Sequence, residues 1–163
     1  MSYRPLTKQE AQYMSNPPLI EDGEYSCELI EFSNIDKNHC PLTDSNGDEM
    51  TKIKLKIWDK EGRERSIFTN LFWGEKNKMS YRTRNFAESF KMLDLYEQGH
   101  MYAQFNKCMN KLGVCKIYTQ KARPKDDGTD DMWPAKNDVR DFIEKEITNT
   151  VKIDDKFSDV IPF

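Results

Sequence analysis

Histidine is almost missing from this chain: His39 and His100 are the whole supply. Imidazole-based acid–base chemistry therefore has few candidates. A glycine-rich phosphate loop, an HExxH pair and a GxSxG elbow are absent too, so no residue is read as catalytic and no cofactor is expected. Asp126, Asp127, Asp130 and Asp131 flank Gly128 and read as an acidic surface turn rather than a Mg²⁺ site. No apolar run is long enough to cross a membrane, and no basic-then-apolar leader opens the chain, so the expectation is a cytoplasmic protein without a membrane partner. The four cysteines, Cys27, Cys40, Cys108 and Cys115, include no close Cys-x-x-Cys pair; in a reducing cytoplasm they read as free thiols. Internal repeats and Gly- or Ser-rich linkers are lacking as well. The 163 residues are read as one domain with an arm and a tail.

Acidic residues are missing from one long stretch. The formal net charge is -3, which taken alone argues against a nucleic-acid binder. Yet from Gln98 to Lys125 there is no Asp or Glu, while Lys107, Lys111, Lys116, Lys121, Arg123 and Lys125 all fall there. Acid collects instead just after Lys125 and near the C-terminus. Such segregation permits a basic groove on an acidic protein.

Hydrophobic periodicity lays out the elements. Residues 1–20 are polar, end in Pro17-Pro18 and read as a loose arm. Gly23 opens a strand through Phe32, and residues 34–49 form a long loop. Lys52-Ile53-Lys54-Leu55-Lys56-Ile57-Trp58 alternates strictly, as a strand wet on one face does. Asp59-Lys60-Glu61-Gly62 is a hairpin turn, and a return strand runs to Trp73. Over residues 79–93, Met79, Phe86, Phe90 and Leu93 make the apolar stripe of a helix. Two more strands are expected near 101–106 and 113–121, and a short helix over Val139 to Glu146. The result is mainly β: a five-stranded OB-fold barrel over residues 21–146 with one helix between strands 3 and 4, then a flexible acidic tail over 147–163.

If Ile53, Leu55 and Ile57 face the core, then Lys52, Lys54, Lys56 and Trp58 form an outward row of three cations and a planar ring. Phosphates at regular spacing and stackable bases suit such a row, although a solvated Lys-rich edge strand would share the lysines. Arg63 and Arg65 follow across the turn. On the return strand Ile67, Thr69, Leu71 and Trp73 share one face and Phe68, Asn70 and Phe72 the other; the sequence does not choose which is core. Lys76, Lys78, Tyr81, Arg82 and Arg84 surround the helix start, as exposed helix charges or as DNA contacts. Lys116 and Tyr118 make another cation-plus-ring pair, and Lys121 and Arg123 extend the basic path. Trp133 is expected to pack as a lid.

From Gly23 to about Ile143 the chain resembles the small phage single-stranded DNA-binding proteins encoded among replication and recombination genes. The resemblance is carried by Asp22-Gly23-Glu24-Tyr25, by Met50 through Asp59 with Gly62-Arg63-Glu64, and by Arg84 through Ser89 with Leu95-Tyr96. Gly113-Val114-Cys115-Lys116-Ile117 and Pro134 through Phe142 carry it further. It implies an OB-fold and sequence-tolerant binding of single strands. The ending, with Asp154, Asp155 and Asp159 before Ile161-Pro162-Phe163, is similar to the protein-recruiting tip of bacterial and phage single-stranded DNA-binding proteins. It implies capture of a polymerase, nuclease or recombination mediator through an apolar pocket with a basic rim. An acidic decoy or adaptor that binds a host DNA-processing enzyme is the competing reading, and a homodimer through a barrel edge is compatible with the chain.

Overall fold

The computed structural model describes residues 3–15, 18–125 and 131–145. Helix α1 (Lys8–Ser15) is followed by strands β1 (Gly23–Ser33), β2 (Met50–Trp58) and β3 (Glu64–Phe72). Helices α2 (Tyr81–Ser89) and α3 (Leu93–Glu97) come next, then β4 (Leu112–Gln120), the short β5 (Arg123–Pro124) and β6 (Met132–Trp133), and β7 (Lys136–Ile143). Five strands form an antiparallel sheet in the order β3-β2-β1-β4-β7, and β5 pairs with β6 as a separate small hairpin. The protein is mainly β. The sheet is not closed into a barrel by strand pairing, because β3 and β7 remain its two edges.

Alternation decides the faces. Ile53, Leu55 and Ile57 of β2 are fully buried, as are Cys27 and Leu29 of β1. On β3 the buried set is Ile67, Thr69 and Leu71, which turns Phe68 outward. Gly62 closes the β2–β3 turn at φ +79, and Asp59 accepts from the Glu61 and Arg63 amides at 3.0 and 2.9 Å. Under the sheet, Phe86 of α2 stacks on Phe90 at 4.2 Å between centroids and meets Phe142 of β7 edge-on at 5.2 Å. Each such ring contributes roughly 1.5–3 kcal/mol by burial.

Where the edges of the sheet come together, side chains join them. Arg82 of α2 donates from Nη1 to the Val139 carbonyl on β7 at 2.7 Å and from Nη2 to the Asn70 carbonyl on β3 at 3.0 Å. Further along, Arg65 of β3 donates to the Pro18 carbonyl, and Asn137 of β7 holds Ile20 from both sides. The Ile20 amide donates to Asn137 Oδ1 at 2.9 Å, and Asn137 Nδ2 donates back to the Ile20 carbonyl at 3.0 Å. Residues 18–20 thus form a strap across the seam, covering edges that would otherwise expose unpaired backbone.

Four expectations are corrected. The arm is not wholly loose: Ile20 is buried in the core, and residues 8–15 form a helix started by a Thr7–Glu10 capping box, with reciprocal bonds of 3.1 and 2.9 Å. The helix expected over 79–93 ends at Ser89, because Lys91 takes φ 62 and α3 begins afresh. Residues 101–106 form turns and the start of a 3-10 helix (Phe105–Cys108) instead of a strand. The short C-terminal helix is instead strand β7. Its buried residues, Val139 and Phe142, sit three apart because a bulge leaves Arg140 without a partner between Ile117↔Val139 and Lys116↔Asp141. The bulge gives a strand the spacing of a helix. The tail over 147–163 lies outside the described residues.

Candidate nucleic-acid interface

Along the seam between β3 and β7 the outer surface opens into a cleft of about 730 Å³. Its walls bring Phe68 and Phe72 of β3 and Lys52 of β2 to face Tyr118 of β4 and Lys136, Asp138 and Arg140 of β7, with Tyr81 at one end. Phe68, 59% exposed, also lines a neighbouring cavity of about 580 Å³ together with Lys136 and the strap residues Pro18 to Ile20. The two hollows therefore form one path along the seam.

Strand parity places these groups. Lys52 sits opposite Asn70 and Lys54 opposite Phe68, so outward residues of β2 and β3 stand side by side. Lys136, Asp138 and Arg140 alternate outward on β7 while Val139 is buried. The Arg140 guanidinium carbon lies 4.4 Å from the Tyr118 ring centroid, a cation–π contact that keeps both upright. Lys52, Lys136 and Arg140 make no ion pair among the described residues. Asp138 is the one carboxylate on the cleft wall, and its Oδ1 accepts from the Val139 amide at 2.7 Å. The cleft thus offers four rings and three cations that lie beyond ion-pair distance of any described carboxylate, with Asp138 on the same wall.

Of the residues singled out from sequence, Lys52, Phe72, Tyr81 and Tyr118 meet in this cleft. Arg82 lines its floor but is 6% exposed, and its two terminal nitrogens are committed to the seam. Burial lowers its pKa, with Asp138 opposing the shift. Trp73 belongs to the core: its Nε1 donates to Thr51 Oγ1 at 2.9 Å and its ring meets Tyr102 at 5.4 Å. Arg63 and Arg65 surround the buried Asp59, at 3.1 and 3.7 Å from Oδ2. Arg84 pairs with Glu88 at 2.9 Å and Glu97 at 3.7 Å. Lys76, Lys78, Lys116, Lys121 and Arg123 are exposed outside the cleft lining. Trp58 is half-buried with Lys56 over its ring at 5.4 Å. Asp154, Asp155, Asp159, Ile161, Pro162 and Phe163 lie outside the described residues.

Sequence reasoning missed Lys136 and Arg140, having assigned part of their strand to a helix; the alternation Lys136, Asp138, Arg140 was the available signal. Trp133 is corrected from lid to surface: it is 51% exposed on the β5–β6 hairpin, with Lys125 4.8 Å above its ring. Among the described residues no three His, Cys, Asp or Glu side chains gather to hold a metal, and no helix is long and apolar enough to cross a membrane. No protein-family model matches the chain, and no curated protein matches it.

Proposed function

We propose that the protein is a sequence-tolerant single-stranded DNA-binding protein that holds the strand in the β3–β7 cleft. The carrying observation is that Phe68, Phe72, Tyr81 and Tyr118 line one open cleft together with Lys52, Lys136 and Arg140. Every base has a π-face, so stacking on such rings contributes about 1–3 kcal/mol per base without selecting sequence, while the cations take phosphates. The strand order, with α2 between the third and fourth strands, supports an OB-fold whose seam is joined by side chains. Replication and recombination of phage DNA in a host cytoplasm is the setting that the sequence resemblance implies. Recruitment of a polymerase, nuclease or mediator through Ile161-Pro162-Phe163 belongs to the same proposal and rests on sequence.

Titration of fluorescent oligo-dT and a matched duplex, at low and moderate salt, tests the reading. Preference for the single strand with a steep salt dependence is expected. Equal or negligible binding of both would overturn it and favour the decoy or adaptor reading.

A further inference from the structure

We infer that Glu28 and Glu31 of β1 bound the path of the DNA strand by neutralising the two β2 lysines that lie outside the cleft. The inference rests on the single-strand reading above. Outward residues of the sheet divide into two zones. In the cleft Lys52, Lys136 and Arg140 have no carboxylate at ion-pair distance among the described residues. Further along β2, Lys54 Nζ lies 3.5 Å from Glu31 Oε2, and Lys56 Nζ lies 3.6 Å from Glu28 Oε1 and 4.0 Å from Glu64 Oε1.

The pairing is built into the register. Glu28 stands directly opposite Lys56. In an unbroken ladder Ile30 would then stand opposite Lys54. A bulge between Leu29 and Glu31 leaves Ile30 unpaired and sets Glu31 opposite Lys54. Re-aiming a side chain is a characteristic use of a bulge. Each lysine is also held from its other side by a ring: Lys54 lies 5.5 Å from the Phe68 centroid and Lys56 5.4 Å from that of Trp58.

Surface ion pairs with partly accessible side chains such as these add little to stability, roughly 0–1 kcal/mol. Their effect is on an incoming polyanion. A phosphate approaching Lys54 or Lys56 meets a carboxylate fixed beside the same ammonium, far inside a screening length of about 10 Å at 0.1 M salt. Binding there releases no net counterion, whereas binding at the three cleft cations does. The acidic row on β1 therefore marks the border of the strand's track, and Phe68 stands on the boundary.

The test compares full-length wild type, Glu28→Gln/Glu31→Gln and Lys54→Gln/Lys56→Gln by oligo-dT anisotropy over a salt series. Removing the two carboxylates frees Lys54 and leaves Lys56 with only Glu64 at 4.0 Å, so binding should tighten and the log–log salt slope should steepen by about 0.7 to 1.4, at roughly 0.7 per phosphate. Removing the two lysines should change the slope by less than half of the upper figure. An unchanged or shallower slope in the glutamate variant would overturn the inference. So would a loss of about 1.4 in the lysine variant, which would put phosphates on Lys54 and Lys56 in the wild type. A wild type that ignores oligo-dT would instead overturn the single-strand reading, and the inference with it.

Discussion

The carbonyls of Asn70 and Val139, on opposite edges of the sheet, accept from a single guanidinium, that of Arg82. One buried side chain thereby does at the seam what a ladder of backbone bonds does elsewhere in the sheet. Replacing it with methionine, similar in length but without donors, should destabilise the fold by about 2–4 kcal/mol: the two bonds from a charged donor contribute about 1.5–3 each, offset in part by the desolvation of the buried guanidinium. Urea unfolding checks this. Unchanged stability with weakened DNA binding would make Arg82 a contact residue instead.

Phe68 and Trp73 should behave oppositely, although both are aromatic residues, one within β3 and the other just past its end. Phe68→Ala removes an exposed ring and should weaken oligo-dT binding by about 1–3 kcal/mol, with stability within about 0.5 kcal/mol of wild type. Trp73→Phe loses the bond to Thr51 and should cost about 1 kcal/mol of stability while leaving affinity intact. Paired titrations and unfolding curves for the two variants separate the roles.

Gly113 is fixed by crowding. A Cβ there would lie 2.5 Å from Phe90 Cε1 and 2.7 Å from Ser89 Oγ, the oxygen that accepts from the Val114 amide at 2.8 Å. Gly113→Ala should therefore cost about 1–3 kcal/mol as overpacking, read from the urea midpoint. A neutral effect would mean that α2 shifts freely on β4.

Thiol reactivity should count the burial. Cys40 is exposed, whereas Cys27, Cys108 and Cys115 are buried. One thiol should react with a chromogenic disulfide in native protein, and four after unfolding. Burial pushes Cys108 up from 9.0 to about 12. The folded state thus favours the neutral thiol. Its contribution is complete below the unfolded-state value near 9 and is lost as pH rises toward 12, so alkaline stability should decline across that window. Cys108→Ser should lessen the decline in a pH series of unfolding midpoints.

Strict alternation made β2 and the core face of Ile53, Leu55 and Ile57 readable from sequence, and Gly62 marked the turn. Locally consistent signals such as these survive packing. Long-range pairing was not readable. Val139 and Phe142 imitated helical spacing because a bulge skips Arg140, and the Thr7–Glu10 capping box passed unnoticed within a polar arm. The site divided along the same line. Lys52 and Tyr118 were legible as an outward cation and ring, whereas the face of Phe72 and the role of Tyr81 stayed open until the strands were paired. The fates of Lys54, Lys56 and Arg82 depended on Glu28, Glu31 and the β3–β7 seam, which are set by tertiary neighbours that no window of sequence contains.

The clasp between Ile20 and Asn137 joins residues 117 positions apart in the chain. During synthesis the strap therefore emerges long before its anchor exists. The emerging chain can form the β2–β3 hairpin early, because its contacts are local, but it cannot close the Ile20–Asn137 clasp until β7 has left the ribosome. Loop-closure entropy must be met before that long-range contact returns anything, which makes docking of the strap a late folding event. Translation that stops before Asn137 should leave the strap held at Pro18 by Arg65, with the Ile20 amide and carbonyl without the Asn137 clasp.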